Sequence, residues 1–152
     1  MSFAIPRPAL LLGLAGLLPF LYAALAGQEP RLEIDLAPAL LVAEVYGLVI
    51  FAYMSGVFWG FAVAGKKTAG DAGWRWLGLA VAPAVVMVLA LVVEPGRQAD
   101  LLLVGFPALL PIDFLFQRAG LAPRWWLALR LLLTAVVVSC LWIAVSGAGE
   151  AL

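Results

Sequence analysis

Apolar residues run along this chain in long blocks separated by short polar breaks, and within the blocks they do not alternate with polar ones. Crossing about 30 Å of hydrocarbon at roughly 1.5 Å per residue takes about 20 residues in a helix. The pattern therefore predicts five transmembrane helices, near residues 8–27, 37–64, 74–93, 101–116 and 123–146. The breaks carry turn formers: Gln28-Glu29-Pro30-Arg31, Lys66-Lys67-Thr68-Ala69-Gly70-Asp71, Glu94-Pro95-Gly96-Arg97, and Arg118-Ala119-Gly120 leading into Pro123. A membrane barrel would alternate polar and apolar positions. The expected fold is thus an all-α polytopic bundle forming a single domain over residues 1–152, because no Ser/Gly-rich or charge-run linker divides the chain.

Composition strengthens this reading. Hydrophobic residues make up 66% of the chain and charged ones 12%, with a mean hydropathy of +1.12. Soluble domains average about 45–50% and about 25%, so the lipid bilayer must be the solvent for most of this surface. The nine basic residues are scattered and the net charge is zero, which argues against nucleic acid as a partner. Cys140 is the only cysteine, so no internal disulfide can form, and its position in an apolar run fits a small packing residue.

The first block admits a second reading. Arg7 followed by Leu10 to Leu25, with Ala24-Leu25-Ala26 at its end, also fits a cleavable secretory signal. The length of the block and Pro19 inside it favour a retained span.

Loop charge orients the bundle. Arg7, Lys66, Lys67, Arg75, Arg118 and Arg124 fall on one side and Arg31 and Arg97 on the other. The positive-inside rule then places the N-terminus in the cytoplasm and, after five spans, the C-terminus outside. Trp59, Trp74, Trp76, Trp125 and Trp126 fall near the inner ends of their spans, as a headgroup belt would.

Few residues are equipped for chemistry. The chain has no histidine and no second cysteine, so metal, haem and nucleophilic mechanisms lack their usual groups; no cofactor is expected, and an enzyme is the least expected class. Ser55, Thr134, Ser139 and Ser146 fit helix packing or backbone hydrogen bonding. Three ionisable residues fall within spans: Glu44, Asp113 and Arg130. Each costs at least about 2.5–3.5 kcal/mol to place in the membrane and needs a partner, water or a function. Glu44 fits either a hydrated carboxyl near the interface or a proton or cation site. Asp113 and Arg130 flank the turn between the last two spans at matched depth, roughly 5–10 Å from the helix ends. They can pair across the hairpin, or each can extend separately to the headgroups. Thr134, one turn past Arg130, can orient the guanidinium or bond its own backbone. Ala52, Gly56, Gly60 and Ala64 form a flat stripe on the second span, a seam for a helix of this bundle or for a second copy. Gly78 and Ala82, followed by Pro83, form a weaker stripe on the third.

Several of these residues carry a resemblance. Tyr46-Gly47 with Ser55-Gly56-Val57-Phe58-Trp59-Gly60, then Gly120-Leu121-Ala122-Pro123-Arg124-Trp125-Trp126 and Leu129-Arg130-Leu131-Leu132-Leu133-Thr134, together resemble the transmembrane protein 69-like family. Ile5-Pro6-Arg7-Pro8-Ala9-Leu10, with Gly13, Gly16, Leu17, Pro19 and Phe20, also fits it. The resemblance implies a small multi-pass protein of a bacterial inner membrane, the family occurring also in mitochondria, with the first span retained; it implies no activity. The family's second-span motif reads Gly-Gly-Val-His-Trp-Gly, and here Ser55 stands for the first glycine and Phe58 for the histidine. Position by position the motif points to Gly56, Trp59, Gly60, Asp113, Pro123, Trp125, Arg130 and Thr134.

Three functional readings remain. One is a non-enzymatic accessory or assembly protein that docks on another membrane protein or on itself, suggested by the small-residue seam. Another is a proton-coupled transporter or binding protein for a hydrophobic or cationic small molecule, working through Glu44 or Asp113. The last is a tryptophan-rich sensor that binds a lipid or porphyrin.

Overall fold

The structure, a computed structural model, describes residues 4–28, 35–65 and 70–150. Among these it contains six helices and no strand: α1 (Arg7–Ala15), α2 (Leu18–Gln28), α3 (Leu36–Ala64), α4 (Gly70–Val93), α5 (Gln98–Arg118) and α6 (Trp126–Glu150). Helices α1 and α2 form one interrupted span, so five spans are long and apolar enough to cross a membrane. The chain is a multi-pass all-α membrane bundle. The polar breaks expected at Glu29 to Arg31 and at Lys66 to Ala69 lie outside the described residues.

The interruption in the first span follows from Pro19. A proline inside a helix cannot donate to the carbonyl four residues back, and its ring crowds that carbonyl. Four residues back is Ala15, the last residue of α1. The chain turns once at Gly16, whose N–H still reaches the Leu12 carbonyl at 3.0 Å, and restarts as α2. Proline does not break every helix: Pro83 sits inside α4, and Pro107 and Pro111 inside α5, without ending those helices.

The helix starts are built from neighbouring side chains. Asp35 caps α3 by accepting from the Ala37 N–H at 3.1 Å. The fifth span starts at Trp126 rather than near residue 123, because residues 119–125 form the turn, with Gly120 at φ +72° where a side chain would be strained. Gln117 at the end of α5 reaches across this turn and accepts from the Leu127 N–H at 3.1 Å, capping α6.

Helices in lipid associate through close packing rather than water exclusion, so small residues decide where backbones meet. The closest approach is between α2 and α6, where a side chain at Gly147 would overlap the Gly27 carbonyl and one at Gly27 would lie 3.1 Å from Ala144 Cα. Buried Ala23 and Cys140 extend that contact surface on α2 and α6. The bundle centre is aromatic: Phe106 meets Phe20 and Phe51 edge-on at 6.1 and 5.9 Å, and Phe58 stacks on Phe116 at 5.2 Å.

Candidate functional site

Asp113 on α5 and Arg130 on α6 meet inside the bundle. Arg130 Nε donates to Asp113 Oδ2 at 3.0 Å, and Trp126 Nε1 donates to Asp113 Oδ1 at 2.5 Å. Asp113 is completely buried and Arg130 is 4% exposed, so these groups pair within the protein rather than extending to headgroups. The geometry is local in origin. Trp126 and Arg130 are four residues apart on α6 and so share a face, which the 119–125 turn lays against the end of α5. Both oxygens of the carboxylate are thereby engaged, as a buried charge requires.

Two polar atoms beside this pair are left over. Arg130 Nη2 and the Thr134 hydroxyl are buried and find no partner. Thr134 therefore neither orients the guanidinium nor bonds its own backbone. A buried donor without an acceptor costs about 1–3 kcal/mol, so two on one face ask for a reason. Both residues line a cavity of about 400 Å³ between α1, α2, α3, α5 and α6. Its lining is mostly apolar, with Phe20, Met54, Val57, Phe106 and Leu129 among the residues that form it, and Pro123, Trp125 and Trp126 also contribute. Tyr46 and Tyr53 also line it, the Tyr46 hydroxyl lying beside Gly16. Helix α1 buries none of its residues and rests on α6. Leu12 on α1 and Tyr53 on α3, 74% and 62% exposed, border the cavity and open it toward the lipid.

The residues singled out from sequence fall into three places. Asp113, Trp125, Arg130 and Thr134 gather at the cavity. Gly56 and Gly60, with Ala52 and Ala64, face outward with nothing within 4 Å of the space a side chain would fill at either glycine. Of the two partners expected for this seam, no helix of the bundle is one. Trp59 is exposed beside it. Gly78 is equally open, and the close glycine contact of the fold is Gly27 with Gly147, which sequence spacing did not single out because its halves lie on different helices. Glu44 stands apart from the cavity. Its carboxylate accepts from the Ala99 N–H in the first turn of α5, because α3 begins well before α5 and places Glu44 level with that helix start. Ser55 is buried with an unpartnered hydroxyl but lines no described cavity. Phe58, in place of the family's histidine, is fully buried.

Trp126 was assigned from sequence to the headgroup belt. Its ring is instead half buried, edge-on to Phe61 at 5.1 Å, with its N–H on Asp113. The signal available was its spacing of four from Arg130.

Comparison with known proteins agrees with this architecture. No solved structure matches the chain. It is 35% identical over 136 residues to Transmembrane protein 69 of Xenopus tropicalis, an alignment covering 88% of this chain and 51% of that protein. The chain thus spans about half the length of the curated relative it matches. Residues 5–146, from the start of the interrupted first span through the Asp113–Arg130 hairpin and most of α6, match the family described as protein of unknown function (DUF3429), and the chain belongs to that family.

Proposed function

We propose that this protein is a non-enzymatic binding protein of the bilayer, whose cavity between α1, α2, α3, α5 and α6 takes a small hydrophobic molecule entering from the lipid. The cavity carries the reading. At about 400 Å³ it falls within the range of about 300–1,000 Å³ typical of small-molecule sites. Like them, it is lined mostly by apolar side chains, with Tyr46, Tyr53, Arg130 and Thr134 among them. A discontinuous helix beside the site fits the same reading, since broken helices at membrane depth occur where they line a cavity. A bacterial inner membrane is the compartment we propose for it.

The version in which Asp113 exchanges a proton for a cation has less support, because both of its oxygens are already engaged by Arg130 and Trp126. Native mass spectrometry of the protein released from nanodiscs tests the binding reading. A bound mass on the wild type that is lost in Val57→Trp, which fills the cavity, is expected. Bare protein in both samples would remove the reading.

Docking on another membrane protein or on a second copy is the other reading with a specific observation behind it, the outward stripe of Gly56 and Gly60. Cysteines placed at these positions should then cross-link in native membranes; failure to cross-link at either would count against it.

A further inference from the structure

The cavity takes up one half of the bundle's height. Its lining includes Phe20, Phe106 and Val137, which fall near the midpoints of their spans, and continues from there to Phe61, Trp125 and Trp126 at the turn between α5 and α6. Along α6, Trp126 and Val137 are about 17 Å apart at 1.5 Å per residue, close to half of a hydrocarbon core of about 30 Å. The space thus has the depth of one leaflet, and exposed Leu12 and Tyr53 border it on the lipid side.

The end away from the midplane is basic. A side chain at Gly13 would meet Leu129 and Leu133, and one at Gly27 would meet Ala144, so the first span runs parallel to α6 and Arg7 stands level with residues 123–127. Arg7 lies just before Ala9, and Arg124 between Pro123 and Trp125, all three of which line the cavity. Both arginines are exposed, and exposed Arg75 and Arg118 add to the charge of the same end. The acidic residues in the segments that meet there are Asp71 and Asp113, and Asp113 is already held by Arg130 and Trp126. Arg130 is the one charged residue that lines the cavity, and its charge is met by Asp113. A ligand's own charge is therefore answered at the rim, by Arg7 and Arg124, and not inside. A mostly apolar slot one leaflet deep, with cationic side chains at headgroup level, matches the two ends of one molecule: an acyl chain and an anionic headgroup.

We infer that the cavity holds an acyl chain of an anionic phospholipid from the leaflet at the basic end, with its headgroup at Arg7 and Arg124. This rests on the binding reading above and names the class of its ligand.

The full chain in nanodiscs of equal parts phosphatidylglycerol and phosphatidylethanolamine, with identical acyl chains, is released in a native mass spectrometer. The retained lipid is expected to be phosphatidylglycerol, enriched about fivefold for each arginine that reaches the headgroup, the strength of attraction between one basic side chain and an anionic membrane. Arg7→Gln and Arg124→Gln should each lower that enrichment several-fold with lipid still bound, and Val57→Trp should lose the lipid altogether. Should an arginine variant fail to fold, the wild-type ratio and the other variant decide. Retention of the two lipids in the ratio of the nanodisc overturns the headgroup assignment and leaves a lipid-binding cavity. Enrichment that survives Val57→Trp puts the lipid on the outer surface and overturns the placing of its chain. Displacement of phosphatidylglycerol by an equal amount of added oleate overturns the phospholipid in favour of a free fatty acid. No retained lipid in any sample removes the binding reading itself.

Discussion

Asp113 accepts from two residues one helical turn apart, and its burial makes that arrangement obligatory. Removing either charge leaves the other buried and unpaired, a loss of about 3–5 kcal/mol. Asp113→Ala and Arg130→Ala should each lower thermal stability in detergent by that order, and the double variant by clearly less than their sum. Additive losses in this cycle would mean that the pair contributes no coupling. Trp126→Phe keeps most of the ring packed on Phe61 and deletes the N–H, so it should cost about 1.5–3 kcal/mol, the range for a hydrogen bond to a charged group. A melting temperature equal to wild type would remove Trp126 from the site.

At the scale of helices, two pairs of glycines have opposite environments. Gly147 lies against the Gly27 backbone, whereas Gly56 and Gly60 face open space. Gly147→Leu should separate α2 from α6 and destabilise the monomer by more than about 2 kcal/mol, the overpacking scale. Gly56→Leu and Gly60→Leu should leave monomer stability within about 1 kcal/mol, the difference in helix propensity, and even favour it. Thermal unfolding of the variants side by side tests this; equal losses in both sets would mean the helix rotations are wrong. Size-exclusion mass measurements on Gly56→Leu then report any self-association separately from folding.

For the whole molecule, the alternation of spans puts Arg7, Arg118 and Arg124 at one end, together with the Asp113–Arg130 pair. The contact of Gly13 with Leu129 and Leu133, and of Gly27 with Ala144, shows that α1 and α2 run parallel to α6. The basic end is expected in the cytoplasm by the positive-inside rule. A periplasm-active reporter fused after Leu152 should give signal and a cytoplasm-active one there should not; the reverse would invert the bundle.

Spans were legible in the sequence because a helix crossing lipid must be long and continuously apolar, and five such blocks appear whatever their neighbours. The matched depth of Asp113 and Arg130 was legible for the same reason, since a short turn fixes the register of a hairpin. Helix rotation was not. A helix apolar all round presents no amphipathic stripe to say which face is inward, so the glycine stripe of α3 gave no sign that it faces out. Glu44 is deep in its own helix yet level with the start of another, a relation that depends on the unequal lengths of α3 and α5. The cavity is a property of five helices at once: Pro19 interrupts the first span, and only the packed bundle sets Arg130 and Thr134 beside the space that is left. Sequence determined the class of solvent, the number of crossings and the charges that needed partners; tertiary packing decided which faces meet, because contacts between helices depend on rotation and offset that no single apolar segment encodes.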